Sequence, residues 1–406
     1  MIKQVEINFV KIYSLVLIFY IFIKAKANTL TTDEAYTFLE YVYTGNIFNI
    51  GIANNHLLNT FFMYFSTNLG YSEIFLRLPN LFAGTVYFVL SFFISKKTNY
   101  PLLSVTILTA VPYLVDFFTL ARGYGIACTF IFLGLFNYYF LNDYKFKFLI
   151  SICFLILASL SIHIYITYTL IFFCLNVINE YKLNKINVFT TSIILIYFSY
   201  KIIIWTFQIS QSGKPLFGAQ EVDLIYLFST FFGLINLYHT KLLLINIIIF
   251  NLVFILPIFL FKYLSKKMKI LFLINYLTLL SLYLLPFVFG KTYPSQRILL
   301  PLLPAYLIIS IVSLNNLKLN FIYNFRFLFS AILIINLVQN SSINSTIDWG
   351  KGLSKEELVE YRHNDLECEY IMTDIRSAQY YRLLLQLNGE PYCNLNGEII
   401  NYDKLK

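Results

Sequence analysis

The sequence predicts an all-α polytopic membrane protein of about eleven transmembrane helices, with two amphipathic interfacial helices in the first outer loop and a small C-terminal α/β extracytoplasmic element. Three observations predict it. Of 406 residues, 58% are hydrophobic and only 13% are charged, against roughly a quarter charged in ordinary soluble domains. The apolar residues fall in runs of about 17–25, the length that spans a bilayer. The basic residues gather in alternate short gaps between those runs, as the positive-inside rule requires.

The expected spans are 9–27, 73–95, 101–118, 122–141, 147–162, 164–181, 187–206, 241–261, 270–289, 298–315 and 320–338. With the N-terminus in the cytoplasm, Lys3 and Lys11 lie on that side. So do Lys96 and Lys97, Lys145 and Lys147, Lys182 and Lys185, Lys262, Lys266, Lys267 and Lys269, and Lys318. The long segments 28–72, 207–240 and 339–406 then face outward, and only Lys24 and Lys26 break the pattern. Residues 1–27 end in Ala25-Lys26-Ala27, which has the look of a signal-peptidase site, but the chain that follows is plainly membrane-embedded and a retained first span is expected. This divides the chain into a transmembrane domain, 1–338, and an extracytoplasmic domain, 339–406.

Within the tail, Glu369–Thr373 reads as a strand, Arg376–Leu387 as a helix stopped by Asn388-Gly389, and Pro391–Leu395 as a second strand. Cys368 and Cys393 flank this element and are read either as a disulfide or as two free thiols. Cys128, Cys153 and Cys174 lie inside apolar runs and read as small hydrophobes. The net charge of +9 belongs to topology; no aromatic–basic surface or nucleic-acid motif accompanies it.

Ionisable residues away from the cytoplasmic loops of a membrane protein need a reason. Asp33, Glu34, His56, Glu73, Arg77, Asp116, Arg122, His163, Lys291 and Arg297 all fall at or near the outer ends of spans. That is the pattern of a site built between helices at the outer interface. In the first loop, Thr31 and Glu34 form a capping box that should start a helix. Ala35, Phe38, Leu39 and Val42 share one face, Asp33, Thr37, Glu40 and Thr44 the other, and Gly45 ends it. A second helix should run from about His56 to Leu69 and stop at Gly70. Asp33 and Glu34 have two readings. They are ordinary first-turn acids favoured by the helix dipole, or they are a carboxylate pair facing the interface, able to take the proton of an attacking hydroxyl or amine. Arg122 and Arg297 either snorkel to headgroups or hold a lipid phosphate, to which a guanidinium fork is suited. Lys291, Tyr293 and Arg297 are placed to serve together in that role. One acidic pair is too few ligands to argue for a divalent metal, and no cofactor is expected.

These residues form a set: Asp33-Glu34-Ala35-Tyr36, then His56, then Glu73-Ile74-Phe75-Leu76-Arg77-Leu78-Pro79-Asn80, then Ala121-Arg122-Gly123-Tyr124-Gly125 and Arg297-Ile298-Leu299-Leu300-Pro301-Leu302-Leu303-Pro304. The set resembles the GT-C glycosyltransferases, in particular the branch of lipopolysaccharide-core glycosyltransferases, aminoarabinose transferases and protein O-mannosyltransferases. It covers about residues 10–315. Members often carry His-Pro-Pro where this chain has His56-Leu57-Leu58. The resemblance implies an inverting transfer of sugar from a polyprenyl-phosphate donor to a lipid, glycan or protein outside the cytoplasm, at a bacterial inner membrane. It implies Asp33 as catalytic base with Glu34 beside it, and Arg122 and Arg297 at the donor phosphate. His56, Arg77, Asp116, Tyr124 and His163 are candidates to line the site or meet the acceptor. Two other classes compete. A flippase for lipid-linked sugars should show internal repeats and charges at mid-span, neither of which is visible, and a non-catalytic assembly protein has no need of Asp33 opposite a cationic cluster.

Overall fold

The computed structural model describes residues 2–49, 55–142, 144–211, 256–289, 296–317, 320–346, 392–393 and 399–400. The described chain is mostly helical. Helix α1 is Ile2–Ala27; α2, Thr32–Thr37, runs straight into a π-helical stretch, Phe38–Tyr43; α3 is Leu57–Ser66, closed by a 3-10 turn, Thr67–Leu69. Then come α4, Glu73–Lys96; α5, Pro101–Thr109; α6, Pro112–Phe117; α7, Gly123–Phe140; α8, Lys147–Ser161; α9, Ile166–Leu183; and α10, Lys185–Gln211. The later helices are α11, Leu256–Phe259; α12, Lys266–Phe289; α13, Gln296–Leu299; α14, Leu303–Leu317; and α15, Asn320–Asn340. Among the described residues, seven helices are long and apolar enough to cross a membrane: α1, α4, α7, α9, α10, α12 and the Arg297–Asn316 stretch that carries α14.

The elements differ from the expected spans where the backbone chemistry demands it. Segment 101–118 is not one span. Pro112 has no N–H to continue the ladder, so α5 ends at Thr109 and α6 begins at Pro112 with Val111 extended. Almost every side chain in α5 and α6 is buried, so this broken helix lies inside the bundle instead of on its lipid-facing rim. Lys147–Ser161 is a 15-residue helix, because the backbone turns extended at Ile162 and a short 3-10 turn, His163–Tyr165, follows. Most of the expected span 241–261 lies outside the described residues, as do the tail strand 369–373 and helix 376–387. Tyr392–Cys393, within the expected second strand, pairs antiparallel with Ile399–Ile400. Cys368 is outside the described residues, so its pairing with Cys393 is too.

Helix α7 is the centre of the bundle. It packs on α8 and α4, and its far side meets α14 and the 3-10 turn Leu300–Leu302. Helix α1 lies against α4 and α5, and α10 against α8 and α9. One continuous apolar core runs through these contacts. It is rich in aromatic pairs: Tyr87 against Phe132 and Phe118, and Phe148 against Phe172. The outer faces of α1 and α10 stay exposed and apolar, with Phe9, Ile12, Phe19, Ile186, Phe189 and Ile196 pointing away from the protein, as lipid-facing surfaces do. Two buried ion pairs tie helices together. Lys24 joins Asp116, and Arg326 of α15 joins Glu6 of α1 at 2.6 Å. Lys24, out of place by the topology rule, is therefore an internal partner for Asp116, while Lys26 is exposed.

Candidate functional site

The site begins with the capping box. Thr31 is the N-cap of α2, its hydroxyl accepting from the Glu34 N–H while Glu34 accepts from the Thr31 N–H at 2.9 Å. That box fixes the two acids in opposite directions. Glu34 points inward and is fully buried. Its two oxygens accept from Arg77 Nε and Nη2, both at 2.8 Å, and from the Ala121 N–H at 2.6 Å. Arg77 spends its remaining donors on the carbonyls of Ala25, Asn28 and Thr29 at 2.7–2.8 Å. Burial alone would raise the Glu34 carboxyl, but Arg77 and the two backbone donors outweigh it and hold the group below the usual carboxylate range. Glu34 and Arg77 thus form a satisfied internal joint between α1, α2, α4 and the turn before α7.

That joint places Arg122. The Ala121 peptide is held at both ends, by Glu34 at its N–H and by the Asn59 amide at its carbonyl, 3.0 Å away. Asn80 of α4 donates to Asn59 at 2.7 Å and completes the chain. Arg122 then caps α7 with its side chain directed to α2. Arg122 Nη2 lies 3.2 Å from Asp33 Oδ2, and Arg297 Nη1 lies 3.9 Å from the same oxygen. The exposures grade outward: 1% for Arg122, 20% for Asp33 and 31% for Arg297. Asp33 is therefore a partly open carboxylate with one guanidinium below it and one at the rim. Arg297 reaches this place because Leu300–Leu302 packs on α7 and the Tyr165 hydroxyl donates to the Ile298 carbonyl at 2.5 Å.

The floor beside this cluster is aromatic and imidazole. His56 heads α3 and packs edge-on against Tyr124, ring centroids 4.9 Å apart. The Arg122 guanidinium lies 6.0 Å from the Tyr124 ring. Gly123 makes the approach possible: a Cβ there would lie 2.7 Å from both the His56 Cβ and the Ser161 carbonyl oxygen. Burial first, then the positive Arg122, pushes His56 well below the ordinary imidazole range, and His163 and Arg297 act in the same sense. Tyr41, in the π-helical stretch, sits edge-on to Tyr36 and is electrostatically coupled to Arg122. Burial, then the Tyr36 hydroxyl, raises its phenol.

Asp33, Arg122, Arg297, His56, Tyr124 and His163, drawn from five separate stretches of sequence, come together here. Glu34, Arg77 and Asp116, all expected there, do not join them. Arg77 lies within the joint with Glu34, and Asp116 is buried in α6 against Lys24. The expectation that Asp33 and Glu34 form a pair facing the interface is corrected in the same way: a capping box requires the third-position acid to fold back on the helix start, and Arg77 draws it inward. Thr37, expected on the polar face, is buried with its hydroxyl on the Asp33 carbonyl at 2.9 Å. Lys291 and Tyr293 lie outside the described residues. Among the described residues no three His, Cys, Asp or Glu side chains converge as a metal site needs. Asn59, Asn80, Tyr36 and Tyr41 belong to the arrangement without any sequence signal beyond their place in or beside the quoted motifs.

Fold and site define a helical membrane protein whose one end holds an aspartate between two arginines. No family model matches the chain, and no curated protein or solved structure does either.

Proposed function

We propose that this protein is an inverting glycosyltransferase that takes a sugar from a polyprenyl-phosphate donor and gives it to a lipid, glycan or protein acceptor on the non-cytoplasmic side of a bacterial inner membrane. The observation that carries the reading is the contrast between the two acids. Glu34 is fully used by Arg77 and backbone donors. Asp33 is partly open and held by longer contacts to two guanidiniums. Such a cluster offers a proton acceptor and a phosphate holder side by side. The phosphodiester of a lipid-linked sugar competes with Asp33 for Arg122 and Arg297. Its binding would leave the carboxylate available to the acceptor.

In the transfer, the acceptor oxygen or nitrogen forms its bond to the anomeric carbon from the face opposite the phosphate. Asp33 takes the proton lost by the nucleophile. The bond from the anomeric carbon to the phosphate oxygen breaks, and its electron pair leaves with the polyprenyl phosphate, whose charge rests on Arg122 and Arg297. The resemblance to GT-C enzymes and the Lys-rich loops on the opposite side support this orientation.

The test is sugar transfer in isolated membranes, with a labelled polyprenyl-phosphate sugar supplied to wild type and to Asp33→Asn at matched expression. Transfer by the wild type, cut about a hundredfold or more in the variant, is the expected result for loss of a general base. A flippase or an assembly protein would tolerate Asp33→Asn, and equal transfer by both proteins would sink the assignment of Asp33.

A further inference from the structure

His56 presents one more group to this site. Its Nδ1 lies 3.2 Å from the Ser161 backbone carbonyl. A carbonyl oxygen only accepts, so Nδ1 carries the proton and Nε2 is left with a bare lone pair. That Nε2 is buried and has no hydrogen-bond partner among the described residues. Tyr124 packs against the ring, and the Gly123 backbone closes on its Cβ. Leaving a buried acceptor unmet forfeits its hydration without return, so natural structures seldom keep one without a use. His163, on the turn after α8, is a second imidazole whose Nε2 is buried without a partner among the described residues. The surroundings select the missing partner. Arg122 and Arg297 lie close enough to act on His56 electrostatically, which disfavours a cation at Nε2. A lone pair likewise disfavours an anion. What fits is a neutral group carrying O–H or N–H.

Resting on the transferase reading, we propose that His56 Nε2 is a positioning and specificity contact that accepts a hydrogen bond from a hydroxyl of the carbohydrate substrate. Ser161 fixes the tautomer that makes this possible, and the short backbone turn at Ile162 sets that carbonyl in place. An analogue lacking the hydroxyl would leave Nε2 unmet, so the contact discriminates among sugars as well as binding them.

The hydroxyl belongs either to the donor sugar or to the acceptor, and the experiment separates them. Purified full-length protein in nanodiscs is titrated with farnesyl phosphate and with farnesyl phosphates bearing glucose, galactose or N-acetylglucosamine. Wild type is expected to bind at least one sugar-bearing lipid more tightly than farnesyl phosphate. His56→Asn keeps an amide donor for Ser161 but has nothing at the Nε2 position. It should lose most of that gain, up to about tenfold for one hydrogen bond, with farnesyl phosphate binding unchanged. His56→Gln, which returns an acceptor near that position, should recover part of it. If the gain survives in His56→Asn but the acceptor KM rises, the hydroxyl is the acceptor's and the inference stands with that source. If both quantities match wild type, His56 is only a packing residue and the inference falls, with the transferase reading intact. If wild type binds no probe and transfers no sugar, the transferase reading falls and takes this inference with it. Isotope-labelled histidine in the wild-type protein gives a reading free of any folding defect: the His56 Nε2 resonance should move on addition of the sugar-bearing lipid and stay fixed with farnesyl phosphate.

Discussion

Replacing Arg77 by Leu tests the internal joint most directly. The guanidinium makes five hydrogen bonds, two to Glu34 and three to the carbonyls of Ala25, Asn28 and Thr29. Its removal leaves a fully buried carboxylate whose only described donors are the N–H groups of Thr31 and Ala121, and it strips three carbonyls of this donor. Breaking a buried pair by removing one partner costs about 3–5 kcal/mol. At about 1–2 °C per kcal/mol for a chain of 406 residues, the melting temperature should fall by roughly 3–10 °C. Because the same joint holds the Ala121 peptide and so aims Arg122, sugar transfer should fall further than unfolded protein accounts for. The assay is thermal unfolding of the purified protein in detergent, run on Arg77→Leu, Glu34→Leu and the double variant. The double variant, with both charges gone, should cost clearly less than the sum of the singles. Additive losses, or a drop under about 2 °C for Arg77→Leu, would refute the joint as described.

Gly123→Ala should lower stability by about 1–3 kcal/mol and weaken transfer, since its Cβ would press on His56 and the Ser161 carbonyl at 2.7 Å; thermal unfolding and the transfer assay read both. Lys24→Met should destabilise by about 3–5 kcal/mol and Lys24→Met with Asp116→Leu by less, measured by the same unfolding, because only the single variant strands a buried charge. His56 gives a pH signature. Its folded-state pKa is depressed, so between that value and the unfolded value of about 6.5 the unfolded chain binds the extra proton. Its contribution to stability is full above about pH 6.5 and is lost as pH falls toward the folded pKa. The fall in melting temperature from about pH 7 to about pH 5.5 should therefore be smaller in His56→Asn than in wild type, and an equal fall would contradict a buried neutral imidazole.

Much of the site is legible in the sequence because its signals are local. The capping box at Thr31 and Glu34 and the stops at Gly45 and Gly70 depend on neighbours three or four residues away, and all of them form. The roles of Glu34, Arg77 and Asp116 are not legible there, for a single reason. A sequence shows that a charge sits at a span end, but not whether another charge waits behind it. Arg77 is 43 residues from Glu34, and Asp116 is 92 residues from Lys24 in sequence. The same holds for segment 101–118, where composition marks a span and only the surrounding helices decide that a proline-broken helix can be buried with its freed backbone groups enclosed.

By itself, then, the sequence determined what short-range chemistry controls. It set the apolar runs that must be helical in a bilayer, the caps and stops of the first loop, and the presence of a few ionisable residues at the span ends. Tertiary structure decided which of those residues are satisfied by one another and which remain open. Pairing energy falls off with distance, and distances across a bundle are set by packing, by Gly123 admitting His56 and by Leu300–Leu302 docking on α7. That packing folded Glu34 into the interior and left Asp33 between two arginines at the rim.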